Sequence, residues 1–552
     1  MMNKKKVLVM GEAHYLNSGF GTYTKELLTR LYQTGKYELV EFSSYGHLNQ
    51  GDDVPWLFIS NMPDEGNKSE LDLYNSNGAH QFGAWRFDRV CLEVKPDVVL
   101  SYRDPWMDSW IQNSGLRKYF HWVWMPTVDS APQRAEWMNV FASCDAILTY
   151  SEFGGRVLKE QGKETINWIG CASPGIDPSV YKPMAKPQHR AEMGIDPNCF
   201  IVGTVMRNQK RKLFFELMKA FRIFLDTAPT DIAAKTFLYL HTSYPEKIGW
   251  DISHGIVENN LGGKVMMTYV CKNCKLFFPH MFNDALTKCK FCNQMSAVCP
   301  TVSVGLSVPD LAKIYNLFDI YAQYAICEGF GMPQIEASAC GVPVAATDYS
   351  AMHDVVRFTK GYPIPVQTFF REMETNAERA YPSNEAFAKI LIKFFNQNET
   401  QRIQQSIAVR IATLKRYGWD KTAKVWEDYI DSYSPTNLQG KWDSPPSITS
   451  VPTAIPPNLS HKNFVQWIFN NVLASPTSIY NEEGMRICRN LLFGADMGNG
   501  VLEPTSQDKI FAEYQQRAQN NNSLESLRVG HTTIPPQKFL IDAYQRHQRV
   551  TK

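Results

Sequence analysis

Cys327-Glu328-Gly329-Phe330-Gly331-Met332-Pro333-Gln334-Ile335-Glu336 is the stretch that decides how this 552-residue chain folds. Asp319 to Ala325 before it is a short apolar run, which predicts a buried strand, and Pro333 to Cys340 after it predicts a helix. A strand that turns through two glycines into a helix is the unit of a parallel α/β sheet. Gly329 and Gly331 let a ligand approach the backbone closely. Pro333 suits the first helical turn, whose N–H groups and dipole favour an anion. Glu328 then lies in the loop and Glu336 on the helix, so the two carboxylates can hydrogen-bond the hydroxyls of a polyol. The plainer reading is a capping loop before a surface helix.

Moving outward, the same rhythm recurs. Lys4 to Gly11, Pro96 to Leu100, His121 to Met125 and Ala146 to Ser151 predict strands, and Thr22 to Tyr32 and the segment around Arg156 to Gln161 predict helices. Pro183 and Pro187 punctuate a polar run, after which the pattern restarts. Phe200 to Met206, Thr236 to His241 and Val342 to Thr347 predict strands, and Lys212 to Leu225 and Asp310 to Leu317 predict helices. The expected fold class is α/β, with two doubly wound Rossmann-like domains facing a cleft. Ligands of such sheets bind outside the carboxyl ends of the strands.

Composition bounds the rest. Hydrophobic residues make up 44% and charged residues 20%, so the chain as a whole is globular. Lys+Arg number 57 and Asp+Glu 55, for a net charge of +2, which excludes a global basic field for nucleic acid or an anionic membrane. Twelve cysteines are too few for a secreted disulfide scaffold of this length. The apolar run after the basic N-terminus, Val7 to Met10, is too short for a signal-peptide core, and no stretch reaches the roughly 18 apolar residues of a spanning helix. These features predict a cytoplasmic protein with reduced thiols.

Three further constellations carry chemistry. Arg207-Asn208-Gln209-Lys210-Arg211-Lys212 puts four cations at a strand's carboxyl end, where they can clamp a diphosphate, unless the run is simply solvated. Gly19-Phe20-Gly21 follows the first strand after a loop. It lacks the third glycine of a nicotinamide fingerprint, Thr24 standing in its place, and alone is a weak signal, with a plain strand-to-helix turn as the alternative. Cys271-Lys272-Asn273-Cys274 and Cys289-Lys290-Phe291-Cys292 are two knuckles fourteen residues apart. Each offers two thiolates, and together they complete a closed tetrahedral zinc site of structural type. Four buried thiols are the alternative. His280 and Cys299 are expected to be spare. The insert also carries Lys264, Lys272, Lys275, Lys288 and Lys290 with Phe277, Phe278 and Phe291. Such a mixture binds nucleic acid or another polyanion, or else the phenylalanines form the insert's own core.

Glu328 to Glu336 resembles the Glu-x7-Glu motif of family 4 retaining glycosyltransferases, which have the GT-B fold. The likeness extends through Ala337 to Thr347, Gly175-Ile176-Asp177 with Tyr181-Lys182-Pro183, Tyr150 to Phe153, and Tyr417-Gly418-Trp419-Asp420, and it covers about residues 4–433. The resemblance implies transfer of a sugar from a nucleoside diphosphate sugar to an acceptor hydroxyl, with no catalytic metal. It implies that Arg207 and Lys212 bind the diphosphate and that Glu328 holds donor-sugar hydroxyls and Glu336 ribose hydroxyls. Backbone N–H groups of Phe330, Gly331 and Met332, with the helix opening at Pro333, assist, and the loop at Gly19 and Gly21 faces the donor phosphate and acceptor. Two positions depart from the family: Asp129 stands where a sugar-facing His is usual, and Asp354 is the candidate for a donor-contacting Glu after Thr347.

The expected organisation is an N-terminal, acceptor-side domain over 1–183 and a donor domain over 184–415 holding the zinc-ribbon-like insert at 264–302. A returning helix at 416–435, a Pro/Ser/Thr-rich linker at 436–460 and a helical extension at 461–552 follow. The acceptor stays open, with nucleic acid and polysaccharide both in view, as does the oligomeric state. Two other readings stand beside the main one: a DNA-modifying glycosyltransferase acting on a hydroxymethylated base, and a non-catalytic GT-B scaffold that docks a partner through its ribbon.

Overall fold

A computed structural model describes residues 4–47, 53–301, 304–433, 438 and 440–443, with the backbone of two short strands near the C-terminus. The first sheet holds β1 (Lys5–Glu12), β2 (Tyr37–Ser44), β3 (Leu57–Ser60), β4 (Val98–Ser101), β5 (His121–Trp124), β6 (Ala146–Thr149) and β7 (Trp168–Cys171). They lie side by side as β3-β2-β1-β4-β5-β6-β7, every pair parallel. The buried apolar runs predicted β1, β4, β5 and β6. Strand β2 escaped because polar residues interrupt it: Glu41 points into the interior, where His14, Ser43 and the Trp56 indole satisfy its carboxylate.

The second sheet repeats the plan with β8 (Phe200–Val205), β9 (Thr236–His241), β10 (Val265–Cys271), β11 (Phe277–Met281), β12 (Leu286–Lys288), β13 (Met295–Val298), β14 (Ile320–Gln323), β15 (Val344–Thr347) and β16 (Tyr362–Ile364). Its order is β12-β13-β10-β9-β8-β14-β15-β16, with β11 on the free edge of β10. The frame from β10 to β16 is parallel, and the insert strands β11, β12 and β13 pair antiparallel. Each sheet reverses its winding beside its first strand, between β1 and β4 and between β8 and β14. Such switch points open the crevice that receives a ligand. A hairpin of β17 (Val366–Arg371) and β18 (Glu378–Pro382), absent from the sequence-based expectation, follows β16.

The chain then returns. Gly418 opens the helix Trp419–Ser432, which lies on the helix Gly19–Gln33 of the first sheet. Its Trp426 is fully buried and donates its indole N–H to the Tyr23 hydroxyl at 2.8 Å. Truncating a buried tryptophan of this kind costs about 3–5 kcal/mol, so this helix locks the C-terminal end of the described chain onto the N-terminal sheet. The helical extension expected at 461–552 lies outside the described residues apart from a short stretch of backbone. The backbone described there is β19 (Leu527–Val529) paired antiparallel with β20 (Thr532–Ile534), which adds a strand pair to an extension read as helical.

Candidate active site

The loop after β14 forms the floor of the cleft. Gly331 caps the helix Met332–Ala339 with φ +85°, a left-handed conformation that disfavours a side chain, and Pro333 fills the first turn. Gly329 is required for a different reason: a Cβ there would lie 2.3 Å from the Thr127 methyl of the opposite domain. Just before them the Glu328 side chain turns inward and is buried. Its Oε2 accepts from Arg211 at 2.7 Å, and its Oε1 accepts from Gln323 at 2.6 Å and from the Lys212 ammonium. The Ser350 hydroxyl accepts from the Glu328 backbone N–H at 2.9 Å.

The cation run divides in two. Arg207 is exposed and, among the described residues, makes no hydrogen bond or ion pair. Lys212 is buried. Segment 211–213 lies antiparallel along 324–326, with Leu213 N–H donating to Tyr324 O at 3.1 Å and Ile326 N–H to Arg211 O at 3.0 Å. That register aims Arg211 and Lys212 at Glu328. Burial, reinforced by Arg211, pushes the Lys212 ammonium down, while Cys327 and Asp129 oppose the drop. The family resemblance singled out Arg207 and Lys212 and passed over Arg211, which stands in the same four-cation run.

Across the cleft, Asp129 approaches the loop directly. Its Oδ2 lies 3.1 Å from Cys327 Sγ and its Oδ1 3.0 Å from Arg379 Nη1. Asp104, beyond the end of β4, has its carboxyl pushed up chiefly by burial, with Asp129 adding to the rise and a Thr127 hydrogen bond and Arg211 opposing it. Gly19 and Gly21 belong to the first turn of their helix, where Ser18 Oγ accepts from Gly21 N–H at 3.0 Å. A Cβ at Gly19 would come within 3.9 Å of Met332 Sδ, so this turn faces the opposite helix start. Asp354, expected as a donor contact, is turned instead to the first domain, accepting from Phe153 N–H and from Arg156 at 2.9 Å. His121 packs on Tyr433, away from the cleft.

Glu336 lies one helical turn deeper. Both its oxygens accept phenol hydroxyls, Tyr315 at 2.6 Å and Tyr181 at 3.1 Å. Burial raises its pKa, and the two phenols oppose that rise. The structure thus brings Glu328, Lys212 and Asp129 together, sets Phe330, Gly331, Met332 and Pro333 on the loop and helix start beside them, leaves Arg207 at the rim, and holds Glu336 between Tyr181 and Tyr315. Gln323, Tyr315 and Arg379 had no sequence signal of their own, since each reaches the site only through tertiary packing, and Tyr181 stood in a motif of the resemblance without a role at the site.

The four cysteines of the insert converge at the carboxyl end of β10. The Sγ atoms of Cys271, Cys274, Cys289 and Cys292 all lie within 4.8 Å of one another, with Cys271–Cys292 at 3.6 Å and Cys274–Cys289 at 3.7 Å. A tetrahedron with metal–sulfur bonds of about 2.3 Å has edges of about 3.8 Å, so the donor set fits one closed ion. Backbone N–H groups of Cys274 and Phe291 point at Cys271 and Cys289 Sγ, both at 3.4 Å. Cys299 is buried outside this cluster and His280 is exposed. Phe278 is core. Lys264 and Lys290 donate to backbone carbonyls, Lys264 to Ala233 O at 2.8 Å and Lys290 to Met193 O at 3.3 Å.

Residues 300–405, which include the Glu328–Glu336 segment, match the family Glycosyl transferases group 1. It is similar to a D-inositol 3-phosphate glycosyltransferase of Rhodococcus opacus, 25% identical over 230 residues, a match spanning 41% of this chain and 43% of that relative. The chain therefore spans less than half the length of the curated relatives it matches. Among solved structures it resembles sucrose-phosphate synthase from Thermosynechococcus elongatus, with TM-score 0.54 and 15% identity over 78% of this chain and 100% of that one. It also resembles Anabaena HepE in complex with UDP and glucose, with TM-score 0.52 and 13% identity over 78% of this chain and 100% of that one. The fold is GT-B-like, two Rossmann-like sheets about a cleft. No helix among the described residues is long and apolar enough to cross a membrane.

Proposed function

We propose that the protein is a retaining glycosyltransferase that moves a sugar from a nucleoside diphosphate sugar to an acceptor hydroxyl. The observation that carries this reading is the convergence of Arg211, Lys212 and Glu328 at the β8/β14 switch point, under a helix start and facing Asp129 across the cleft. The group 1 family match covers the same loop, and the HepE neighbour was solved with UDP and glucose. The donor diphosphate lies along Arg207, Arg211 and Lys212, with the start of the helix at Met332 beneath it. As the diphosphate draws Lys212 towards itself, Glu328 Oε1 is released to accept a donor-sugar hydroxyl. Glu336 takes the ribose hydroxyls in partnership with Tyr181 and Tyr315. Asp129 faces the sugar from the other domain.

Transfer breaks the bond from the anomeric carbon to the phosphate oxygen and forms a bond from that carbon to the acceptor oxygen on the same face. The acceptor proton passes to the leaving phosphate, so no protein nucleophile is needed. The protein's contribution is positioning and stabilisation of charge growing on the diphosphate. Cys271, Cys274, Cys289 and Cys292 would hold a structural zinc ion, and with four thiolate ligands it would leave no position for chemistry. The test is incubation with UDP-, GDP- and ADP-linked sugars, following nucleoside diphosphate release and the product anomer by NMR. Release from one donor class with the anomeric configuration kept is expected. Inverted product from an otherwise active protein would overturn the retaining step, and no release from any donor the reading itself.

A further inference from the structure

We infer that Arg379 is a positioning residue that clamps the two domains together and holds Asp129 in the cleft. It lies on β18, in the hairpin that interrupts the second domain after β16, and it is buried. Its guanidinium reaches Asp129, Cys327, Glu372 and, at 3.4 Å, the Thr375 hydroxyl. Nη1 donates to Asp129 Oδ1 at 3.0 Å across the cleft and contacts Cys327 Sγ at 2.9 Å, beside Glu328. Nε and Nη2 donate to Glu372 Oε2 at 3.0 and 2.6 Å, within its own hairpin. Two carboxylates on opposite sides of the cleft are therefore joined through one buried cation.

The surrounding backbone shows the same design. Glu378 N–H donates to Ala131 O at 2.8 Å, and Ala131 N–H donates to the Tyr349 hydroxyl at 3.2 Å, which donates in turn to Glu378 O at 2.7 Å. Ala380 N–H bonds Ile326 O at 3.0 Å, tying the hairpin to the Glu328 loop. The loop 129–131 of the first domain is thus gripped by the hairpin at the Asp129 side chain and the Ala131 carbonyl, and by Tyr349 at the Ala131 N–H. Closure and the placement of Asp129 are one event, because the atoms that make the grip lie on opposite domains. Removing Arg379 leaves Asp129 and Glu372 facing each other with no cation between them, which favours separation.

The inference stands on domain geometry, and its primary test needs no substrate. Spin labels carried on non-natural residues at positions 160 and 219 report the distance between the domains in the full chain. Wild type is expected to give one short population. Arg379→Ala and Asp129→Asn should each raise the long-distance population at least tenfold, the double variant no further than either, and Arg379→Lys should restore most of the short one. Glu372→Gln, which spares the cross-cleft bond, should resemble wild type. UDP titration then separates the two claims. Affinity within threefold of wild type in Arg379→Ala, with the distance shifted, supports the clamp, whereas absence of UDP, GDP and ADP binding in every variant counts against the glycosyltransferase reading alone. An unchanged distance distribution in folded Arg379→Ala and Asp129→Asn would overturn the clamp.

Discussion

Replacing Glu328 with alanine is expected to destabilise the second domain before it does anything to catalysis. The Lys212 and Glu328 side chains are only 8% and 6% exposed, and Arg211 and Gln323 bind the same carboxylate. Removing one member of a buried pair costs about 3–5 kcal/mol, because the partner charge is left without compensation. Here Lys212 keeps no other acceptor among the described residues, so Glu328→Ala should lose about that amount at pH 7. Glu328→Gln keeps hydrogen bonds without the charge and should lose less. Burial already pushes the Lys212 ammonium down with Glu328 in place, and losing the carboxylate beside it pushes the ammonium further down. A folded pKa below the unfolded value means that the unfolded chain binds more protons, and stability then rises with pH. The deficit of Glu328→Ala should therefore shrink as pH climbs towards the unfolded lysine value of about 10.4. Urea denaturation at pH 7 and 9.5, followed by the fluorescence of Trp250, reads both effects. Trp250 N–H and indole bond Asn208 and the Gln209 carbonyl in the same segment. A Glu328→Ala protein within 1 kcal/mol of wild type at pH 7 would refute the reasoning, as would a deficit that grows with pH.

Further outcomes follow from the same geometry. One zinc per chain is expected by mass spectrometry and elemental analysis, lost in Cys271→Ser/Cys289→Ser, with destabilisation spreading into the sheet because Cys271 ends β10; full folding without metal would contradict this. Arg207→Ala should leave stability within about 0.5 kcal/mol of wild type, as exposed side chains do, while weakening nucleoside diphosphate binding; a stable variant of undiminished affinity removes Arg207 from the site. His14 lies between Glu41 at 2.9 Å and Asp53 at 3.2 Å. Burial lowers its pKa, but the two carboxylates outweigh that and raise it above 6.5. Its contribution is therefore fully present below pH 6.5 and lost as pH rises through the raised value, so the stability gap between wild type and His14→Asn should narrow over that range. A gap constant from pH 6 to 9 would refute it.

The parallel frame was legible because its central strands are continuous apolar runs, and Val7, Val99, Val202 and Ile320 are all fully buried. Edge strands were harder to see: β7 is Trp168-Ile169-Gly170-Cys171, too short and too mixed to signal itself. The hairpin of β17 and β18 carried no strand signal, since Glu372, Glu374 and Asn376 crowd its tip. In the site, local spacing revealed what local backbone builds, namely the Gly329–Pro333 turn and the four cysteines. It did not reveal partners fixed by the meeting of distant elements. Glu328 and Glu336 look alike in the sequence, yet one is neutralised by Lys212 and Arg211 and the other is bonded by two phenols. Arg379 comes 250 residues after the aspartate it holds, and no motif connects them.

Calorimetric titration of the full chain with UDP, GDP and ADP, repeated on Arg207→Ala and Arg211→Ala, tests the central claim most directly. The account predicts micromolar binding of one nucleotide, weakened at least tenfold in each variant while folding is retained. Binding of none of the three by folded, zinc-loaded wild type would contradict it.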